Sequence, residues 1–187
     1  MSVRGLLADP GIVGAWTLVP ERSSVRFSNR TLWGLMKVNG RFTDIAGNGR
    51  IDTDAAVSGR LVIGAASVHT GIGKRDQHLR SPDFFDTNRF PHIVVEVSAV
   101  TPNGDHSASL LTNLSVRDVT RPLTLAATVT RLGNDTIHIV CHTEIDRTIW
   151  GVSGTMAGMM PATTAVVADT IFIRVPSGTP PRPPARG

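Results

Sequence analysis

Five groups of residues carry side chains capable of chemistry, and each is judged by its spacing. Thr70-Gly71-Ile72-Gly73-Lys74-Arg75 holds a Gly-Lys pair, as phosphate-cradling loops do. Such a loop also needs Ser or Thr after the lysine and a glycine five positions before Gly73. Arg75 and Val68 stand there instead. Gly151-Val152-Ser153-Gly154 presents a serine, but a nucleophile elbow needs a glycine two places after it. Thr155 occupies that place, so the stretch reads as a loop. His138 and His142 share one face of an expected strand, with Cα atoms about 13 Å apart at strand rise. That is too far for one ion held at about 2 Å from each ligand. His69, His78 and His92 could meet only through the fold. Asp83 with Asp86, and Asp52 with Asp54, lie in turn-like contexts where aspartate serves local backbone donors. No catalytic residue and no metal site is expected from these patterns.

The fifth group is the arginines. The chain has 187 residues, a net charge of +4 and only 19 basic side chains against 15 acids. Seventeen of those bases are Arg and two are Lys. Arginine titrates far above lysine, which lifts the pI to about 10.5 without creating a strong field. The arginines are dispersed and interleaved with aspartate, so they read as a solvated coat. Aromatics are scarce, with six Phe, three Trp and no Tyr. A base-stacking platform would need more of them in basic surroundings, and nucleic acid is not an expected partner. The single cysteine, Cys141, excludes an internal disulfide. No apolar run reaches the roughly 20 residues of a membrane span, so stable membrane insertion is not expected. Met1 to Gly14 lacks the basic region, apolar core and cleavage site of an export signal. The expected location is cytoplasmic.

These residues must be positioned by strands. Apolar residues alternate with polar ones through Ala15–Val19, Ser23–Asn29, Lys37–Phe42, Ser58–Val68, Ile93–Ala99, Leu110–Val116, Leu123–Val129, Ile137–Thr143 and Ala165–Val175. Period-two alternation predicts half-buried strands. Ala46-Gly47-Asn48-Gly49, Pro102-Asn103-Gly104-Asp105 and Leu132-Gly133-Asn134-Asp135 read as turns. Eight or more strands, mostly antiparallel, predict an all-β barrel or sandwich. Gly73 to Asp86 breaks the pattern: its first half suits a short helix, stopped at Ser81-Pro82. A second irregular segment runs from Asp146 to Met160. Ser177 to Gly187 holds four Pro and two Arg with little to bury, a composition expected to be disordered. The expected organisation is an N-terminal arm over 1–13, one domain over 14–176 and the Pro-rich tail over 177–187.

Ser67-Val68-His69-Thr70-Gly71, the run from Arg75 to Asp86, and Phe90-Pro91 together resemble the signature of the YceI-like family. Trp16 to Pro20 with Ser23 to Phe27 resembles the family's opening strands, and Gly40-Arg41-Phe42 its next. Leu114 to Leu125 is similar to the family stretch LTIRGVTKPVTL, with Asp118 at the usual glycine. Ile145 to Gly151 is similar to INRSDFGL, with Trp150 at the usual phenylalanine. The resemblance covers roughly residues 14 to 175. It implies a lipocalin-like, extended antiparallel barrel of eight strands with one or two short helices, and a polyisoprenoid held in its lumen.

An eight-stranded barrel can enclose one ligand if bulky side chains do not fill it. Gly64, Ala65, Ala66, Ala126 and Ala127 are expected to leave that space. Phe27, Trp33, Phe42, Phe84, Phe85, Leu114 and Trp150 are the lumen candidates. Arg75, His78 and Arg80 are the candidates for a polar head group, because guanidinium forks suit phosphate oxygens. The alternative for these three is that they pin the short helix across the barrel mouth. The expected function is binding an isoprenoid or quinone-like lipid for transport, storage or sequestration, with no other cofactor. The competing expectation is a small barrel enzyme acting on a prenyl or other apolar substrate, which would bring His78 and Asp83 or Asp86 together inside a pocket. A homodimer is expected from the resemblance alone.

Overall fold

The computed structural model describes residues 2–30, 37–154 and 161–176. Its strands are β1 (Gly14–Leu18), β2 (Ser24–Arg30), β3 (Lys37–Phe42), β4 (Ile45–Ile51), β5 (Val57–Gly64), β6 (Val68–His69), β7 (His92–Pro102), β8 (Ser107–Val116), β9 (Val119–Gly133), β10 (Thr136–Asp146) and β11 (Thr163–Arg174). β1, β4, β5, β7, β8, β9, β10 and β11 are neighbours in turn, and β1 pairs back onto β11. Eight strands therefore close an antiparallel barrel. β2, β3 and β6 continue outward from β11 as a second ladder.

Alternation in the sequence becomes alternation between lumen and solvent. On β8, Ala108, Leu110, Thr112, Leu114 and Val116 are all buried, while Leu111 and Asn113 between them are exposed. The expected helix is α2 (Gly73–Arg80), and Ser81 ends it in extended backbone, as a residue before proline should.

Three strands are interrupted in neighbouring positions. A 3-10 turn at Pro20–Arg22 separates β1 from β2, Thr43-Asp44 separates β3 from β4, and a 3-10 turn at Ala65–Ser67 separates β5 from β6. Side chains stitch this crease. Ser23 Oγ donates to Val19 O at 2.8 Å and accepts from Ile171 N at 2.9 Å. Thr43 N donates to Ser67 Oγ at 3.1 Å, and Ser67 Oγ donates to Gly64 O at 2.7 Å. Below the crease β5 pairs with β7; beyond it β6 pairs only with β3 among the described residues. α2 and the chain to Pro91 occupy the space that β6 and β7 leave.

The expected turn at Ala46–Gly49 is instead the middle of β4. Gly47 pairs with Leu61 and Gly49 pairs with both Gly59 and Trp16. A Cβ on Gly47 would sit 3.2 Å from Leu18 Cβ and from Arg60 O. Glycine here serves close approach within a sheet, not a reversal of the chain.

Residues 2–13 close one end of the barrel. A short helix, α1 (Val3–Leu7), and a 3-10 turn at Pro10–Ile12 bury Val3, Leu6 and Ile12 against Trp16, Ile51, Leu110 and Val129. Trp16 Nε1 donates to Ile12 O at 3.0 Å, and Arg131 ties Asp9 to the wall at 2.5 Å. Residues 177–187 lie outside the described residues.

Candidate functional site

The lumen wall is built row by row from the ladder register. β11 contributes Thr164, Val166, Ala168, Thr170 and Phe172, every second residue. Opposite them on β10 stand Ile145, Thr143, Cys141, Ile139 and Ile137. On the other side Val166 faces Phe27 and Ala168 faces Val25 on β2. Leu61 and Ile63, Ile93 and Val95, Leu110 and Leu114, and Leu123 and Leu125 complete the circuit through β5, β7, β8 and β9. Together they surround a cavity of about 230 Å³. The wall is mainly aliphatic and aromatic, with Asn29, Thr143, Thr164, Thr170 and Arg147 as polar members.

The far end from α1 is stopped by a plug of two loops. Leu79, Phe84 and Trp150 are 4%, 1% and 3% exposed. Trp150 Nε1 donates to Leu114 O at 2.9 Å, which fixes the indole in the core. Arg117, held at φ +56° in the β8–β9 turn, donates from Nη1 to Phe84 O at 3.2 Å and to Gly151 O at 2.7 Å. One guanidinium thus holds both plug loops together. Arg147 lines the cavity and is 6% exposed. Its Nε donates to Pro161 O at 3.1 Å, Nη1 donates to Val152 O, and the group lies 5.7 Å over the Phe84 ring. Burial lowers its pKa, with the nearby Asp146 carboxylate acting against that shift.

Phe27, Phe42, Phe84, Phe85, Leu114 and Trp150 all line this cavity. Three of the rings run in sequence, Phe27 to Phe42 at 5.6 Å and Phe42 to Phe85 at 5.8 Å between centroids. Trp33 lies outside the described residues. The space is not made by the expected small residues. Ala66 and Ala126 are exposed, Ala127 packs in the cluster under α1, and Gly64 and Ala65 sit at the crease. It exists because eight strands hold opposite walls too far apart for Val, Leu and Ile to meet fully.

The three head-group candidates do not face the cavity. Arg75 donates to Thr70 Oγ1 and Thr70 O, at 2.8 and 2.9 Å. Arg80 donates to Ala66 O and Val68 O, at 2.7 and 2.9 Å. His78 packs edge-on against Phe84 and lies 3.4 Å from Asp83 at the surface. All three bind α2 or its flank to the rest of the plug. Buried Asp76 completes that join: burial opposes its charge, yet the hydroxyl and amide of Thr70 hold its carboxyl below the ordinary value. His78 and Asp83 do come together, but at the surface and not in this cavity, and Asp86 faces Arg89 and Arg117 instead.

Arg147 and Asn29 are among the lumen groups missing from the sequence-based candidates. Arg147 falls within an irregular segment that carries no period. Asn29 is legible by parity, since Val25, Phe27 and Asn29 are every second residue of one strand. Asn29 is 2% exposed, lines the cavity, and its Oδ1 has no hydrogen-bond partner among the described residues. A buried acceptor left unmatched costs about 1–3 kcal/mol. Cys141 lies deeper in the lumen, where burial pushes its thiol up to about 11. No helix among the described residues is long and apolar enough to cross a membrane.

Comparison with known proteins agrees with this architecture. A UPF0312 protein of Pseudomonas paraeruginosa is 38% identical over 98 residues, 51% of each chain, and one of Yersinia pestis matches to the same degree over 50% of its length. The chain thus spans about half the length of the curated relatives it matches. Among solved structures, BcnA of Burkholderia cenocepacia superposes with a TM-score of 0.74 at 18% identity, over 82% of this chain and 98% of that one. A polyisoprenoid binding domain from Saccharophagus degradans superposes with a TM-score of 0.73 at 19% identity, over 86% and 98%. The YceI-like domain matches residues 16–176, from the buried Trp16 of β1 to two residues past the end of β11. With that match over most of the barrel, the chain belongs to the YceI-like domain family.

Proposed function

We propose that this protein is a non-catalytic carrier that encloses one long apolar molecule, an isoprenoid or quinone-like lipid, in its barrel. The observation that carries the reading is the cavity of about 230 Å³, whose wall from β2, β3, β5 and β7 to β11 is mainly apolar. Such a space is a poor site for water, which needs two to four polar partners. A hydrocarbon chain entering it gains about 0.8 kcal/mol per methylene removed from water, less the costs of association. The similarity to a structure described as a polyisoprenoid binding domain supports the same ligand class. In this reading the protein stores, transports or sequesters its lipid in the cytoplasm, and its plug loops admit the ligand.

Native mass spectrometry of the purified protein, followed by organic extraction, tests it. The expected result is a lipid adduct that extraction removes and a prenyl lipid restores. A protein that takes up neither prenyl lipids nor an apolar dye would refute the reading. Recovery from an envelope fraction would correct the location alone.

A further inference from the structure

Among the described lumen residues, Asn29 carries an atom that an all-hydrocarbon ligand leaves unsatisfied. Asn29 is 2% exposed, and its Oδ1 is buried without a donor among the described residues. A strand residue in an apolar wall is ordinarily Val, Ile or Leu, and its neighbours on the same face, Val25 and Phe27, are apolar as that rule requires. Asparagine there works against the empty protein. Its place in the register is specific. Ser28 pairs with Ala165, so the next position of β11, Thr164, is the counterpart of Asn29. Thr164 also faces the lumen, is 8% exposed, and pairs with Ile145 on β10. Asn29 and Thr164 therefore form a polar step on the wall near the plug. From that step the β11 wall continues through Val166, Ala168, Thr170 and Phe172, about 26 Å along the strand.

We propose that Asn29 is a specificity residue that accepts a hydrogen bond from a neutral hydroxyl on the ligand. The occupant is then an apolar chain ending in an alcohol, with the hydroxyl at the Asn29–Thr164 step and the chain running toward Phe172. The unmatched atom is an acceptor, so the ligand group must donate. A fully ionised phosphate has no proton to give, and a carbonyl has none either. A hydroxyl both donates and accepts, so it suits either end of a carboxamide. This inference rests on the lumen being the ligand site, as proposed above.

The test uses the full chain with farnesol, farnesene and farnesyl diphosphate, each competing against an apolar dye in the lumen. Wild type is expected to bind farnesol about tenfold more tightly than farnesene, the scale of one well-made buried hydrogen bond. Asn29→Leu is expected to abolish that preference, bringing the ratio of the two affinities to about one. Asn29→Val serves as the second variant, being the residue most at home in a strand. Ligand-free Asn29→Leu should also melt a few degrees higher, because it removes the unmatched acceptor. An unchanged alcohol preference in both variants would overturn the inference while leaving the carrier reading intact. So would tighter binding of the diphosphate that is indifferent to Asn29. A lower melting temperature in both ligand-free variants would assign Asn29 a structural role and overturn it as well. Failure of all three probes to bind wild type would instead remove the carrier reading itself.

Discussion

Gly40 controls how much of the lumen Phe27 occupies. The two residues pair across β2 and β3. A Cβ placed on Gly40 would lie 2.2 Å from Phe27 Cζ and 2.6 and 2.8 Å from its Cε atoms. Gly40→Ala therefore forces the ring tip back by at least about 1 Å to regain ordinary contact at 3.4 Å or more. Retreat toward Phe42 is blocked, because that ring is already packed at 5.6 Å and is itself backed by Phe85. The open direction is the cavity.

The magnitude differs between stability and binding. Overpacking costs about 1–3 kcal/mol, and the adjoining cavity keeps the value at the low end. Replacing glycine stiffens the unfolded chain and returns about 0.4–1 kcal/mol. Stability should thus change little, by about 1 kcal/mol or a melting shift of about 2–4 °C. Binding has no such offset, since the unfolded chain plays no part in it. A ring pushed into the lumen displaces one or two methylenes of ligand, about 0.8 kcal/mol each. That is about a 4-fold to 15-fold loss of affinity for an apolar ligand, read by dye displacement. Phe27→Leu in the same chain removes the obstructing ring tip and should restore most of the loss, as a non-additive double-mutant cycle. Unchanged affinity in Gly40→Ala, or strictly additive effects in the cycle, would refute the reasoning.

Three further outcomes are expected. The depressed Asp76 carboxyl contributes stability above its ordinary value of 3.8 that is lost as pH falls through its folded value; acid titration of wild type against Asp76→Asn should show a stability difference that shrinks in that window, and a gap constant across it would contradict the assignment. Cys141 should react slowly with a maleimide at about pH 8, below the reference thiol value of about 8.5, because burial raises its thiol to about 11, and more slowly still with ligand bound; reaction as fast as a free thiol would show that the cavity is open to solvent. Ile12 is 0% exposed beneath the barrel floor, so Ile12→Ala should cost about 2–5 kcal/mol in urea unfolding, whereas a cost below about 1 kcal/mol would mean that the N-terminal residues are not packed.

What can be read from the sequence follows from periodicity. Long alternating strands such as β8 and β10 carry their own register, so the alternation alone puts Leu114 and Cys141 on a strand face. β4 is lost to such a reading because glycines at 47 and 49 stand within it. They make room for Leu18 and Trp16, yet they look like turn residues in isolation. The burial of Val3, Leu6 and Ile12 is invisible for another reason. Helices this short have no period to detect, and their partners, Leu110 and Val129 among them, lie far along the chain. Arg75, His78 and Arg80 match a head-group chemistry by type, but type does not say whether a donor has already been claimed by a carbonyl. Only the fold shows the claims, at Thr70, Ala66 and Val68.

On the proposed carrier reading, the crease explains how a closed barrel could admit a ligand at one end. Strands β1, β4 and β5 keep the eight-fold circuit shut around the α1 end, where Trp16 and Ile12 fill the bore. Past the interruptions at 19–23, 43–44 and 65–67, the same chain segments pair as β2, β3 and β6, and the ladder no longer reaches β7. Backbone hydrogen bonds that would close the wall are replaced by side-chain contacts: Arg80 to Ala66 and Val68, Arg117 to Phe84 and Gly151, Trp150 to Leu114. A ladder opens only by losing many bonds together, whereas a plug held by a few side chains can open locally. In the proposed carrier, Asn29 and Thr164 lie with Arg147 among the polar lumen groups at the plug end, where a molecule would enter. Selection by a hydroxyl at that step would act near the plug, before a mainly hydrocarbon wall that would admit any apolar chain of suitable width.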